Sequence, residues 1–134
     1  MYCNSFKNMY ENNDVKSNGL KYTYFVKTYV CDIVEIDRKD VAYWIDKAVF
    51  HKRDLNNLIS ILEYIASCLN NVEFSILEAR MFEFGEDEFS KPNVMFYKDK
   101  RLAISDGRSG RVIVDNKEEL NSLIKLLKCA LDEC

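Results

Sequence analysis

Two stretches of the chain place apolar residues three and four positions apart, the spacing that predicts an amphipathic helix. The first stretch is RDLNNLISILEYIASCLNN (53–71), whose apolar stripe comprises Leu55, Leu58, Ile59, Leu62, Ile65, Ala66 and Leu69. The second is DNKEELNSLIKLLKCALDEC (115–134), whose stripe comprises Leu120, Leu123, Ile124, Leu127, Ala130 and Leu131. Each stripe predicts a helix that buries one face against another layer of the protein.

The start of each predicted helix carries a residue suited to capping. Asp54 precedes the first stripe, and Asp115 precedes the second with Glu118 three residues later, a pattern close to a capping box. The two segments also resemble each other, because DLNNLISIL (54–62) aligns with ELNSLIKLL (119–127) at an offset of 65 residues. Two interpretations stay open, namely unrelated helices with similar packing needs or a duplicated strand–strand–helix unit.

Runs rich in β-branched and aromatic residues predict the strands. One long run is YTYFVKTYVCDIVEI (22–36), in which six apolar residues share one parity and define one face: Tyr22, Tyr24, Val26, Val30, Val34 and Ile36. VAYWI (41–45) and KAVF (47–50) predict a hairpin that turns at Asp46-Lys47. Three shorter runs with turn residues between them also predict strands: NVMFY (93–97), RLAIS (101–105) and RVIVD (111–115).

The segment VEFSILEARMFEFG (72–85) is ambiguous, because its apolar parity slips twice. A bulged strand and a short helix both fit that pattern, and we favour the strand. With this segment included, the chain is predicted to be α+β: a single domain with a mainly antiparallel sheet and two amphipathic helices packed on one face. We expect a polar lead-in over 1–20, for which order is not required, and the domain over 21–134.

Composition narrows the class of protein further. The chain has 134 residues, of which 48% are hydrophobic, enough to build one core. The N-terminus lacks the apolar stretch of a secretory signal, and no run approaches the ~20 apolar residues of a membrane helix. The five cysteines are odd in number and form no CxxC pair, so they indicate a reducing compartment rather than a disulfide framework. We therefore predict a cytoplasmic protein with no membrane partner.

The stretch SDGRSGR (105–111) holds two of the four glycines and has the look of a phosphate-binding loop. It lacks the GxxxxGK[ST] spacing of a nucleotide P-loop and the GxGxxG of a dinucleotide site. Asp-Gly and Ser-Gly are pairs that tolerate positive φ in a hairpin loop. We therefore predict a corner between the strands that end at Ser105 and begin at Arg111.

Charge is distributed unevenly along a chain whose net charge is −3. The segment 98–111 contains five basic residues against two acids, and they are Lys98, Lys100, Arg101, Arg108 and Arg111. The segment 83–89 contains four acids, which are Glu83, Glu86, Asp87 and Glu88. Ordinary solvated loops explain both runs, but if the protein binds a macromolecule these nine residues are the candidate partner-binding residues.

Other chemistry has little support in the sequence. His51 is the only histidine and lies where a helix begins, so a surface position is expected rather than a catalytic one. No cluster of Cys and His has zinc spacing, and the acidic GEDE run lacks the ligand pattern of an EF-hand. We therefore predict no catalytic residue, no cofactor and no metal site, and a function that is not enzymatic.

Two functions from different classes remain. The first is a protein-binding module that blocks a surface of a larger protein or protein–nucleic acid complex. Lys outnumbers Arg 13 to 6, a usage associated with AT-rich genomes, so a phage or mobile-element inhibitor, such as an anti-CRISPR-like counter-defence protein, is one subtype. Exposed sheet edges also leave a homodimer open.

The second, kept as the alternative to the first, is a single-stranded nucleic-acid-binding protein. The net charge of −3 argues against it, because neutralisation of phosphate drives most such binding. Over roughly 21–132, several strands followed by a helix, occurring twice, resemble the outline of PUR-repeat and whirly-type domains, although no family motif matches residue by residue. The resemblance implies that the basic residues of 98–111 meet phosphate. Exposed aromatics of the early strands, among Tyr22, Tyr24, Phe25, Tyr29, Tyr43 and Trp44, would then stack on bases. In a core under the helices, the same aromatics would be structural.

Overall fold

The protein consists of two halves with the same order of elements, four strands followed by a helix. The computed structural model describes residues 6–12, 22–40, 43–71, 80–86, 91–97 and 101–133, with the side chains of 69–71 left aside. The first half comprises β1 (Phe6–Glu11), β2 (Thr23–Tyr29), β3 (Ile33–Lys39), β4 (Trp44–His51), a 3₁₀ turn (Lys52–Asp54) and α1 (Leu55–Asn71). The second comprises β5 (Arg80–Glu83), β6 (Asn93–Phe96), β7 (Leu102–Ser105), β8 (Arg111–Val114) and α2 (Lys117–Asp132).

The strands form two antiparallel four-stranded sheets in which each strand pairs with its neighbour in sequence. The first sheet has the order β1-β2-β3-β4 and the second the order β5-β6-β7-β8. This confirms the α+β class, the antiparallel pairing and the helices packed against sheet, with the strands divided between two sheets. The two sheets and two helices share one core, as expected of a single small domain.

Each helix packs against the sheet of the other half. The hydroxyl groups of Tyr24 and Thr28 in β2 contact glutamates at the two ends of α2. On the other side, Asn57 of α1 donates a hydrogen bond to the carbonyl of Phe84, which directly follows β5. The apolar residues of both helices belong to the same core cluster as buried strand residues of both sheets.

The internal repeat appears in the contacts as well as in the element order. Lys128 and Glu63 are separated by 65 residues, the offset of the aligned helices, and their side chains form a 3.0 Å ion pair. The two helices are thus in contact at a pair of positions that the alignment treats as equivalent, which is compatible with duplication.

Four features of the fold differ from the sequence predictions. A turn at 30–32 divides the run 22–36 into β2 and β3 and leaves Val30 70% exposed, outside the predicted apolar face. The predicted hairpin at Asp46-Lys47 is wrong, because Trp44–His51 is one continuous strand with an irregular register opposite Arg38 and Lys39. Within the expected polar lead-in, Phe6–Glu11 forms edge strand β1, paired with β2. In the ambiguous segment, 80–83 is strand, while 72–79 lies outside the described residues.

The helix starts also differ from the predicted caps. The cap of α2 is Asn116 instead of Asp115, and its side-chain oxygen accepts a 2.9 Å hydrogen bond from the backbone N–H of Glu119. Glu119 in turn accepts from the backbone N–H of Asp115 at 3.3 Å, so a reciprocal arrangement exists one residue later than expected. Asp54 lies within the 3₁₀ turn and is buried, where it does not cap α1.

The end of α2 is fastened to the first sheet by Glu133. Its carboxylate accepts hydrogen bonds from the hydroxyls of Tyr10, at 2.6 Å, and Thr28, at 2.5 Å, and lies 3.5 Å from Lys7 Nζ. Burial raises the pKa of Glu133, but the hydrogen bonds from Thr28, Tyr10 and Asn8 outweigh that effect and lower the pKa overall. The charged carboxylate is therefore the form that the fold stabilises.

We expect the leucine stripes to dominate stability. Leu58→Ala and Leu123→Ala each remove a fully buried side chain from between the sheets, so each should lower the free energy of unfolding by about 2–5 kcal/mol. Urea denaturation followed by circular dichroism measures the loss. Lys125→Ala, on the exposed side of α2, is the control and should change stability by less than about 0.5 kcal/mol. Equal effects of core and control variants would contradict this packing.

Glu133→Gln should cost about 1 kcal/mol of unfolding free energy at pH 7, because it removes the charge from the hydrogen bonds that fasten α2. A carboxylate whose pKa is lowered by folding contributes stability above its unfolded pKa and loses it as pH falls through the folded value. The difference between wild type and variant should therefore shrink below about pH 4. Urea denaturation of both proteins at a series of pH values measures this difference in unfolding free energy. A difference that grows on acidification would rule out stabilisation by the charged carboxylate of Glu133.

Candidate nucleic-acid interface

The structure separates the basic residues that the sequence groups together. Arg108 and Arg111 lie at the β7–β8 corner, whereas Arg101 precedes β7 at its opposite end. The register places Glu83 at the same end of the sheet as Arg111, and exposed Glu86 follows shortly after β5. Lys98, Lys100, Asp87 and Glu88 lie outside the described residues. The basic and acidic segments of the sequence therefore do not form separate positive and negative ends of the second sheet among the described residues.

The stretch 105–111 is a corner organised by one carboxylate. Asp106 accepts hydrogen bonds from the backbone N–H groups of Arg108, at 2.9 Å, and Gly110, at 3.1 Å. Gly107 has φ +80°, a conformation that glycine adopts at little cost. The Asp106 carboxylate also accepts from the backbone N–H of Val49 in β4 at 3.3 Å. The corner of the second sheet is thus held against β4 of the first.

The other component of the site is the outer face of the first sheet, which points away from α2. This face carries the residues of β2, β3 and β4 that alternate with the core residues Tyr24, Val26, Val34 and Ile36: Phe25, Lys27, Tyr29, Glu35, Asp37, Lys39, Trp44 and Lys47. Strict alternation would place Trp44 and Lys47 on opposite faces. The irregular register between β3 and β4 acts as a bulge, which adds Ile45 as an extra residue and brings both side chains to the outer face.

Trp44 is the most prominent aromatic residue of this face and is 56% exposed. Its ring packs on Phe25, with 5.1 Å between ring centroids. The ammonium groups of Lys27 and Lys39 lie 4.8 and 5.2 Å from the ring centroid, within cation–π range. The result is a half-exposed ring that has two ammonium groups over it and Phe25 against it.

A cleft of about 440 Å³ opens beside Trp44, lined by Lys27, Glu35, Asp37, Trp44, Ile45, Asp46 and Lys47. Lys27 Nζ lies 2.7 Å from Asp37 Oδ2 and 3.6 Å from Glu35 Oε2. Burial lowers the pKa of Lys27, but the hydrogen bond and charge of Asp37 outweigh it and raise the pKa overall. Burial, with the hydrogen bond and charge of Asp37, raises the pKa of Glu35. The cleft therefore places a charged donor beside carboxyl acceptors.

Beneath the cleft, a buried arginine ties the two sheets together. Arg38 binds Asp46 through two hydrogen bonds of 3.0 and 2.9 Å and lies 3.5 Å from Asp115, which links β8 to α2. Burial raises the pKa of Asp46, against the opposing effects of Arg38 and the more distant charge of Arg111. Arg111 is thus close enough to Asp46 to act on it, although no ion pair forms between them within the described part of the chain.

Four cations consequently lie along β4, and we call them the cationic margin: Lys39, Lys47, Arg108 and Arg111. Lys39 pairs with Trp44 in the register, and the corner that carries Arg108 and Arg111 contacts the backbone of Lys47 and Val49. Arg108, Arg111 and Lys47 are exposed. Among the ion pairs between described residues, none involves a member of the margin. These charges remain accessible to a ligand.

The early aromatics divide between core and surface. Tyr24 and Phe25 are buried, whereas Tyr43 is 73% exposed next to Trp44. These aromatics and the corner arginines were predicted as candidate site residues. Five other residues of the outer face were not predicted: Lys27, Glu35, Asp37, Lys39 and Lys47. Their alternation with buried apolar residues in TYFVKTY and IVEIDRK was an available signal. The contact between the corner and β4 had no such signal, because it joins residues about 60 positions apart.

Other candidate chemistry is limited in the described part of the chain. His51 ends β4 as a partly buried residue. No three His, Cys, Asp or Glu side chains in the described ranges are grouped so that they could hold a metal ion. Cys31 is disulfide-bonded, which the sequence did not predict, while Cys68 and Cys129 are free thiols. Neither described helix is long and apolar enough to cross a membrane.

No protein-family model, curated protein or solved structure matches this chain. The resemblance to the outline of PUR-repeat and whirly-type domains therefore depends on the order of elements alone, four strands and a helix in each half. A shared order of elements describes an architecture and does not transfer a function. The geometry of the outer face must carry any functional proposal.

The corner itself can be tested through its glycine. Gly107→Ala should lower the free energy of unfolding by at least about 1 kcal/mol, since a Cβ disfavours the left-handed conformation. That Cβ would also meet the backbone nitrogen of Lys91 at 2.4 Å. Thermal or urea denaturation measures the effect, with exposed Ser109→Ala as the matched control. A Gly107→Ala protein as stable as the control would show that the corner does not adopt this conformation.

Proposed function

We propose that the protein binds single-stranded nucleic acid on the outer face of the first sheet. The observation that carries the proposal is the exposed Trp44 ring beside the cationic margin. The corner arginines come from the second sheet and the aromatic residue from β4 of the first, and the corner contacts β4 at Lys47 and Val49. The duplicated four-strand-and-helix outline is consistent with this function and supports it only as an analogy.

Trp44 supplies the stacking surface. Bases stack on exposed aromatic side chains in single-strand-binding proteins, and each such contact contributes about 1–3 kcal/mol. The ring is fixed from one side by Phe25, so little side-chain freedom is lost when a base stacks on it. Tyr43, the adjacent exposed residue, offers a second ring for a neighbouring base.

The cationic margin supplies the contacts with phosphate. Lysine and arginine neutralise backbone phosphates and release counterions, which produces most sequence-independent affinity. Most acids of the same region are engaged, since Asp46 binds Arg38, Asp37 binds Lys27, and Asp106 accepts from backbone N–H groups, whereas Asp40 is exposed next to Lys39. The margin is therefore locally cationic, although the chain carries a net charge of −3.

This balance of charge sets limits on affinity. Four margin cations imply contact with a few phosphates, and a site of about four to eight nucleotides is within the range of small single-strand binders. A protein of net negative charge is repelled by nucleic acid at long range, so we expect modest affinity that depends strongly on salt. Duplex is disfavoured because its bases are already stacked.

Fluorescence anisotropy of a labelled octathymidylate should show binding at about 20 mM salt that weakens severalfold at about 200 mM. Trp44→Ala should reduce affinity about tenfold, the loss of one stacked base. The double variant Arg108→Glu with Arg111→Glu should reduce it further and flatten the salt dependence. Lys125→Glu, a charge reversal on α2 away from the outer face, is the control and should bind as wild type.

Trp44 is the only tryptophan of the chain, so its intrinsic fluorescence reports on the same site without a label. Quenching that saturates together with the anisotropy signal would support stacking on this ring. If the double variant binds as tightly as wild type, the cationic margin does not contact phosphate. If no oligonucleotide binds even at low salt, the nucleic-acid proposal fails.

A second candidate function is the non-enzymatic protein-binding module, and a specific observation favours it. Phe6 and Met9 of edge strand β1 are about half exposed, as are Trp44 and Ile45, so apolar groups lie on both outer strands of the first sheet. Trp and Met are enriched in protein interfaces. On this proposal the protein blocks a partner surface, as a phage or anti-CRISPR-like inhibitor would, with Glu83 and Glu86 available to a basic partner.

A further inference from the structure

We propose that the cleft beside Trp44 selects guanine among the bases of a single strand, an inference that rests on the proposed nucleic-acid function. Hydrogen-bond donors and acceptors lie next to each other in the cleft. Lys27 is a donor, and the carboxyl groups of Asp37 and Glu35 lie 2.7 and 3.6 Å from its nitrogen. One donor thus stands directly beside two groups of acceptors.

Guanine has the matching edge. Its Watson–Crick edge presents an acceptor, O6, followed by two adjacent donors, the N1–H and the N2 amino group. A carboxylate accepts two parallel hydrogen bonds, so it can take both donors while an ammonium group meets O6. Thymine and uracil present one donor between two acceptors, and cytosine and adenine present one amino group beside an acceptor. None of these bases offers two adjacent donors.

The accessible carboxylate of the pair is Glu35. The side chain of Asp37 is 5% exposed and is held by Lys27, whereas that of Glu35 is 14% exposed. The hydroxyl of Tyr29 donates a 3.3 Å hydrogen bond to Glu35 Oε1 and orients the group. Asp37 therefore positions Lys27, and Glu35 faces the base. Lys47, across the register from Asp37, lines the same cleft.

Trp44 and the cleft dimensions favour a base in this place. The cleft of about 440 Å³ falls within the size range of small-ligand sites, ~300–1,000 Å³. Trp44 forms one wall and is 56% exposed, so a base stacked on the accessible part of its ring would have its edge near Lys27 and Glu35, which line the same cleft. The cationic margin lies along the same strand and is placed to hold the phosphates on either side.

The test compares octathymidylate with the same strand carrying one central guanine, adenine or cytosine, followed by Trp44 fluorescence and anisotropy. We expect the guanine strand to bind about tenfold more tightly than octathymidylate, the discrimination of one good bidentate contact. In Glu35→Gln the ratio of the two affinities should fall to near one. Tyr29→Phe, which removes only the orienting hydroxyl, should lower the ratio in part.

Folding of each variant is checked by circular dichroism, and the affinity ratio does not depend on the active fraction. Equal affinity for all four strands would overturn guanine selection while leaving the nucleic-acid function in place. Absence of binding to every strand would remove both proposals. GMP carries the base without neighbouring phosphates and should bind more weakly than the guanine strand. GMP that binds as tightly would assign the cleft to a free nucleotide instead.

Discussion

The burial of two leucine stripes in a core shared by both sheets is the constraint on which the rest of the structure depends. Each helix contacts the other half of the chain, because α2 reaches β2 and α1 reaches the segment after β5. At roughly 25 cal/mol per Å² of apolar surface, this shared core is the main favourable term in folding. It also determines function indirectly, because the inner faces of both sheets are occupied and only the outer faces remain for a ligand.

The sequence predicted the parts of this core whose signal is local. The helix stripes and the short strands of the second half are confirmed, because their periodicity is set by the geometry of the element itself. The predictions were wrong where tertiary contacts, and not local periodicity, determine the secondary structure. The bulge opposite Arg38 converts an expected hairpin into one strand, and β1 is an exposed edge strand whose residues lack apolar alternation. The cap of α2 moved by one residue to Asn116, within the usual uncertainty of helix ends.

The candidate site shows the same division. Trp44 and the corner arginines could be named from residue type, since aromatic residues and a basic turn are visible in the sequence, whereas the exposure of Trp44 is visible only in the structure. Their proximity could not, because it depends on Asp106 holding the corner against Val49 and on the bulge that turns Trp44 outward. The strand register, rather than the spacing in sequence, also separates Arg101 from Arg111. Closeness in sequence was therefore a poor guide to closeness in space for these basic residues.

The net negative charge of the chain is unfavourable for binding nucleic acid, but many of its carboxylates near the outer face are paired with cations or N–H groups. Carboxylates on and under the outer face are largely engaged with Lys27, Arg38 or backbone N–H groups, so their charge is locally compensated. Among the ion pairs within the described ranges, none draws on the cationic margin. What a ligand meets at close range is therefore more positive than the whole-chain value. If the proposed function holds, such a surface favours short, transient contact with a strand, because the net negative charge repels nucleic acid at long range while the local cations attract phosphate at close range.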